Sequence, residues 1–79
     1  MQNGLEPKIY PNPAKNNLVI EMDHLGSIEI LDLAGRKMHT ETAISNKISV
    51  NVSNLHKGIY MLKVIDINSK SVIKKITIN

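Results

Sequence analysis

The chain has 79 residues, a formal net charge of +3, no cysteine, and Tyr10 and Tyr60 as its only aromatics. That length allows one domain, with a core worth only about 3–5 kcal/mol of net stability. The missing cysteine excludes disulfide staples and thiolate metal sites. The mild basic excess favours solubility and weak attraction to anionic surfaces. No stretch is apolar enough to span a bilayer as a helix. Met1-Gln2-Asn3-Gly4 lacks the basic-then-apolar pattern of a secretion leader.

Residues 1–8 are polar, contain Gly4 and Pro7, and read as a linker or tail. Residues 9–79 read as the domain. Ile9-Tyr10 is a short strand that Pro11 and Pro13 stop, because each proline fixes φ and removes a backbone donor. Leu18, Ile20 and Met22 alternate with Val19 and Glu21, the period-2 pattern of a half-buried strand. Asp23 to Gly26 reads as a turn and Ile28 to Leu31 as the next strand. Asp32 to Arg36 predicts a tight hairpin turn, with Gly35 in the positive-φ position. Strand pairing resumes over Lys37 to Thr40.

After a polar break at Ala43 to Lys47, Ile48, Val50 and Val52 alternate with Ser49, Asn51 and Ser53. Leu55 to Gly58 is a corner. Ile59 to Ile65 is apolar in both phases, as a central strand should be. Asp66 to Ser71 is a loop, and Val72 to Ile78 is the last strand. About seven short strands at 8–12-residue spacing predict a small immunoglobulin-like or fibronectin-like antiparallel β-sandwich. The expected core is Leu18, Ile20, Ile28, Ile30, Ile48, Val50, Val52, Leu55, Tyr60, Leu62, Val64, Val72 and Ile76.

Tyr60 is in phase with Leu62 and Val64, so its phenol points inward and needs a hydrogen-bond partner. In sandwich folds such a tyrosine bonds to the backbone of the preceding corner. Leu55-x-x-Gly58-x-Tyr60 supplies that corner, with Leu55 plugging the core end and Gly58 turning the backbone.

Catalytic and metal-binding patterns are missing. His24, His39 and His56 are scattered and form no ligand spacing. No nucleophile elbow or phosphate loop occurs. Asp32 fits the cap of its own hairpin better than a general acid or base. Asn51-Val52-Ser53 matches a glycosylation sequon, but an outward-facing strand residue explains it as well. No enzyme activity, cofactor, small-molecule substrate or nucleic-acid partner is expected. Nucleic-acid binding would want a stronger basic stripe and stacking aromatics.

Several words in order carry a further signal. They are Tyr10-Pro11-Asn12-Pro13 with Leu18-x-Ile20, then Ile28-x-Ile30-x-Asp32-Leu33-x-Gly35-Arg36, then Leu55-x-x-Gly58-x-Tyr60-x-Leu62-x-Val64, then Lys74-Lys75-Ile76. Together they resemble the type A C-terminal sorting domain of type IX secretion cargo, over Ile9 to Ile78. The chain departs from that pattern in having aliphatic residues where many members carry an aromatic, and in ending Thr77-Ile78-Asn79 rather than on a basic residue.

The resemblance implies a non-enzymatic sorting signal that directs an upstream cargo from the periplasm across the outer membrane of a Gram-negative bacterium. It implies an outer-membrane translocon as partner, and a sortase-like surface peptidase that cuts in the linker before the sandwich. The product is then secreted or held at the cell surface. Lys63, Lys70, Lys74 and Lys75 gather towards the last two strands, where lysine also protects sheet edges. The resemblance makes Lys74, Lys75, Ile76 and Ile78 the candidate recognition residues, on a terminal strand read by strand addition and charge. The alternative on the same fold is a spacer or carbohydrate-binding accessory module of an extracellular enzyme. A sugar-binding module would normally expose aromatics, which are nearly lacking here.

Overall fold

The computed structural model describes residues 6–79; most of the expected linker, residues 1–5, lies outside the described residues. Seven strands follow in order: β1 (Lys8–Tyr10), β2 (Asn17–Glu21), β3 (Leu25–Leu31), β4 (Lys37–Thr42), β5 (Lys47–Asn51), β6 (Gly58–Asp66) and β7 (Ser71–Ile78). They form a three-stranded sheet ordered β1-β2-β5 and a four-stranded sheet ordered β4-β3-β6-β7. Every strand pairing is antiparallel. The expected all-β sandwich is therefore the fold.

Alternation builds the core from both sheets. Leu18, Ile20, Ile48 and Val50 face inward from the small sheet, and Ile28, Ile30, Leu62 and Val64 from the large one. Burying such aliphatic side chains contributes about 1.5–3 kcal/mol each before chain entropy is counted. Two expected core residues sit differently. Leu55 and Val72 are half-buried and pack against the buried cluster without being enclosed by it. Leu55 lies in the connection between β5 and β6, and Val72 lies on the edge strand β7. Ala14, Met22, Leu25 and Ile78 complete the core instead.

The first turn is shorter than its composition suggests. Asp23 and His24 alone make it, with His24 at φ 57, and Leu25 and Gly26 belong to β3. A register shift falls between Leu25 and Ser27. A Cβ at Gly26 would lie 2.8 Å from the Asp66 carbonyl oxygen, so β3 can approach β6 here only without a side chain. Asp66 itself is buried at the end of β6, where its Oδ1 accepts from the Asn68 and Lys70 N–H groups at 2.8 and 2.9 Å. Those bonds satisfy the carboxylate and set the turn into β7.

The β3–β4 hairpin is capped as expected. Gly35 adopts φ 87, a conformation that a side chain would strain. Asp32 Oδ1 accepts from the Ala34 and Arg36 N–H groups, both at 2.9 Å, and Oδ2 accepts from Arg36 Nε at 2.7 Å. The Arg36 backbone N–H, then the Arg36 guanidinium, hold the Asp32 carboxyl below its ordinary range. A folded value below the unfolded one makes the hairpin contribution complete above the ordinary aspartate value of about 3.9. It is lost as pH falls through the lowered value. Carbon-detected NMR titration is expected to place the Asp32 midpoint below 3.9 or so, the ordinary value. A midpoint at or above that value would mean the turn is not formed as described.

Candidate recognition site

The Pro-Asn-Pro word covers the end of the last strand. After β1 the chain crosses from the small sheet to the edge of the large one. There Asn12 Oδ1 accepts from the Thr77 N–H at 3.0 Å, and Asn12 Nδ2 donates to the Lys75 carbonyl at 3.4 Å. The Ala14 N–H donates to the Thr77 carbonyl, and the Asn79 N–H to the Ala14 carbonyl, both at 2.8 Å. Ala14 forms a parallel bridge with Ile78 and is fully buried. Pro11 and Pro13 have no N–H to donate, so ahead of Ala14 the contacts to β7 come from the Asn12 side chain.

The strap occupies part of the edge at which strand addition to the last strand was expected. Within β7 the residues bonded to the strap are Lys75 and Thr77, whose neighbours in phase are Ser71 and Ile73. In an antiparallel edge strand, alternate residues turn both backbone groups outward. The strap thus closes the edge from the Lys75 carbonyl onward. The edge ahead of it, at Ser71, Ile73 and the Lys75 N–H, meets no other strand among the described residues.

The candidate recognition side chains do not share one surface. Ile76 and Ile78 are 0% and 2% exposed and belong to the core. Lys74 lies in their phase, on the inward face, and is half-buried; Lys75 is exposed on the opposite face. Lys63 shares the outer face with Lys75, while Lys70 sits in the β6–β7 turn. The apparent lysine cluster of the sequence is split by strand alternation and by the length of the sandwich.

The Tyr60 phenol finds the backbone partner that a buried hydroxyl needs. Tyr60 is nearly buried and its hydroxyl donates to the His56 carbonyl at 2.6 Å. Gly58 takes φ 154 at the start of β6. The histidines stay apart: the His24 N–H donates to Asn46 Oδ1, His39 Nε2 lies 3.0 Å from Glu41 Oε1, and His56 supplies its carbonyl to Tyr60. His39 and Glu41 lie on the core-facing side of the edge strand β4, opposite Ile30 and Ile28, and are half-buried. Asn51 is exposed, and its Oδ1 accepts from the Ser53 N–H and hydroxyl. Among the described residues no group of three or more histidine, aspartate or glutamate side chains could hold a metal ion.

The family model described as "Secretion system C-terminal sorting domain" matches residues 8–79. The chain belongs to this family. It is a sorting signal of type IX secretion, a family of export signals rather than of enzymes, and it marks proteins for the cell surface or the medium of Gram-negative bacteria. No curated protein matches the chain. Among solved structures, the sorting domain superposes on part of PorZ, described as an essential bacterial surface component of the type IX secretion system of Porphyromonas gingivalis. The TM-score is 0.76 at 20% identity, over 92% of this chain and 11% of that one. The chain thus spans about a tenth of PorZ, and this likeness concerns the fold.

The sequence marks Asn12 only as part of a turn and does not mark Ala14 at all. Asn12 was legible as part of a turn word, and its role as a side-chain cap on β7 was not. No local signal marks Ala14 as core. A small residue just after two prolines fits many loops equally well.

Proposed function

We propose that the sorting domain is read by an outer-membrane translocon at the end where β7 terminates, after its cargo has passed through the periplasm. A sortase-like surface peptidase then cuts the segment ahead of Lys8. The family membership is the observation that carries this reading. The layout of the two ends supports it. Lys8 pairs with Glu21 at one end of the sandwich, and Ile78 pairs with Gly58 at the other. The molecule is 36 Å long and 22 Å in both other directions. A peptidase can therefore reach the linker while the far end is engaged.

Recognition in this reading uses the Lys75 ammonium and the open main-chain edge at Ser71 and Ile73. Ile76 and Ile78 contribute by seating the strand, since neither side chain is available to a partner. Lys74, on the other face, is a bystander.

The test places the full chain on the C-terminus of a periplasm-directed reporter in a host with type IX machinery. Lys75→Ala is expected to lower the exported fraction, and Lys74→Ala to leave it unchanged. Lys75 is exposed, so its substitution is expected to change stability by about 0.5 kcal/mol or less; Lys74 is half-buried on the inward face, so the denaturation midpoint of its variant is compared with that of the parent. Equal export of both variants and the parent would return the lysines to edge protection alone. Mass spectrometry of the released reporter is expected to place the new C-terminus ahead of Lys8; a terminus within 8–79 would contradict the proposed cut.

A further inference from the structure

The two outward faces of the sandwich differ in a way that exposure to water does not explain. On the small sheet, the outward residues of β2 and β5 are Asn17, Val19, Glu21, Lys47, Ser49 and Asn51, nearly all polar. The large sheet carries Leu31, Ile59, Met61, Ile65 and Ile73 on its outer face. The register aligns Leu31, Met61 and Lys75 in one row across β3, β6 and β7, and Glu29, Lys63 and Ile73 in the next. Ile59 is 45% exposed and Ile73 52%. Five apolar side chains on one outer face, interrupted by the Glu29–Lys63 pair, suit an interaction surface better than a solvated one.

Charge narrows what covers it. Lys37 pairs with Glu29 at 3.7 Å. Lys63 and Lys75 have no carboxylate within ion-pair distance among the described residues. The face thus mixes apolar side chains with an excess of ammonium groups: Lys63 stands across from Glu29, which Lys37 already engages, and Lys75 stands across from Met61. A second copy packed face to face would bring those like charges together, which is costly. An anionic lipid surface would welcome the lysines, but Glu29 stands in the middle row and would be pressed against it. A protein surface can answer each group separately, with apolar side chains over Met61 and Ile73 and carboxylates over Lys63 and Lys75.

We propose that the outer face of β3, β6 and β7 docks a partner protein whose contact surface is apolar and flanked by carboxylates. This inference rests on the sorting function and extends it from the edge of β7 to the whole sheet face. Lys75 joins the two, since it lies both on the last strand and in the Leu31–Met61 row.

The test uses the reporter fusion of the full chain in a host with type IX machinery, with a photo-reactive aromatic amino acid replacing Ile73. Illumination is expected to give one discrete adduct with a protein other than the fusion. The same probe at Ser49, on the polar face, is expected to give none. Lys63→Glu with Lys75→Glu is expected to reduce the adduct by about tenfold or more, the effect of setting like charges against a carboxylate-bearing surface. Melting of the purified variant is compared with the parent. If it does not fold, Lys63→Gln with Lys75→Gln serves, with a smaller expected loss in the same direction. An adduct with twice the mass of the fusion would assign the face to a second copy, and a lipopolysaccharide ladder would assign it to lipid; either overturns the proposal. So does an adduct unaffected by the charge changes in a folded variant, or an exported fusion that gives no adduct at Ile73. A parent fusion that is not exported at all instead overturns the sorting reading beneath it.

Discussion

Leu62→Ala is expected to cost roughly 2–5 kcal/mol, the range for deleting a buried branched side chain and leaving a cavity. Leu62 is fully buried in β6, opposite Ile30 of β3. A domain this small has only about 3–5 kcal/mol in total. The substitution therefore consumes most or all of the stability, and the variant is expected to be largely unfolded at room temperature. Urea denaturation followed by far-ultraviolet circular dichroism checks this. An unchanged midpoint would mean that the phase of β6 is wrong, and with it the assignment of Tyr60 and Val64 to the core.

Ile78→Ala is expected to have a comparable effect, about 2–5 kcal/mol, although it lies one residue from the end of the chain. Terminal residues usually tolerate change because little holds them. Here Ile78 is 2% exposed, pairs with Gly58 and is bridged to the buried Ala14. The comparison of stability with export decides its role. A variant that loses both is behaving as a core mutant. A variant that keeps the parent denaturation midpoint yet is not exported would show that a partner reads Ile78 directly, against its burial. The same reasoning applies to deletions of the last strand. They remove Ile76 and Ile78 together and so report on folding before they report on recognition.

The strands were legible because alternation is strong where one face is buried. Ile48-x-Val50-x-Val52 and Leu18-x-Ile20 could hardly be anything else, and the order of turns gave the sandwich. Tyr60 was legible for a chemical reason, since a buried phenol must bond to something nearby and the corner was the nearest backbone. What could not be read was the pairing of sequence-distant edges. Asn12 and Thr77 stand at opposite ends of the chain, and nothing local in either predicts their hydrogen bond. The split of Lys74 from Lys75 followed from strand alternation and could have been foreseen. The run of adjacent lysines suggested a patch, but in a strand neighbours point to opposite faces. The apolar outer face of the large sheet escaped for the opposite reason. Ile59 to Ile65 is apolar in both phases, which reads as a strand buried on both sides, and in this two-layer fold only one side is covered.

Export of a reporter tests whether this chain is a sorting signal for type IX secretion. Residues 9–79 are fused to the C-terminus of a periplasm-directed fluorescent protein in a type IX host, beside the same reporter without the fusion and the same fusion in a strain lacking the translocon. The prediction is fluorescence on the cell surface or in the medium for the fusion in the competent host alone, with periplasmic retention in both controls. Retention of the fusion in the competent host, while another sorting domain exports the same reporter, would contradict the claim and leave the chain as an accessory sandwich module.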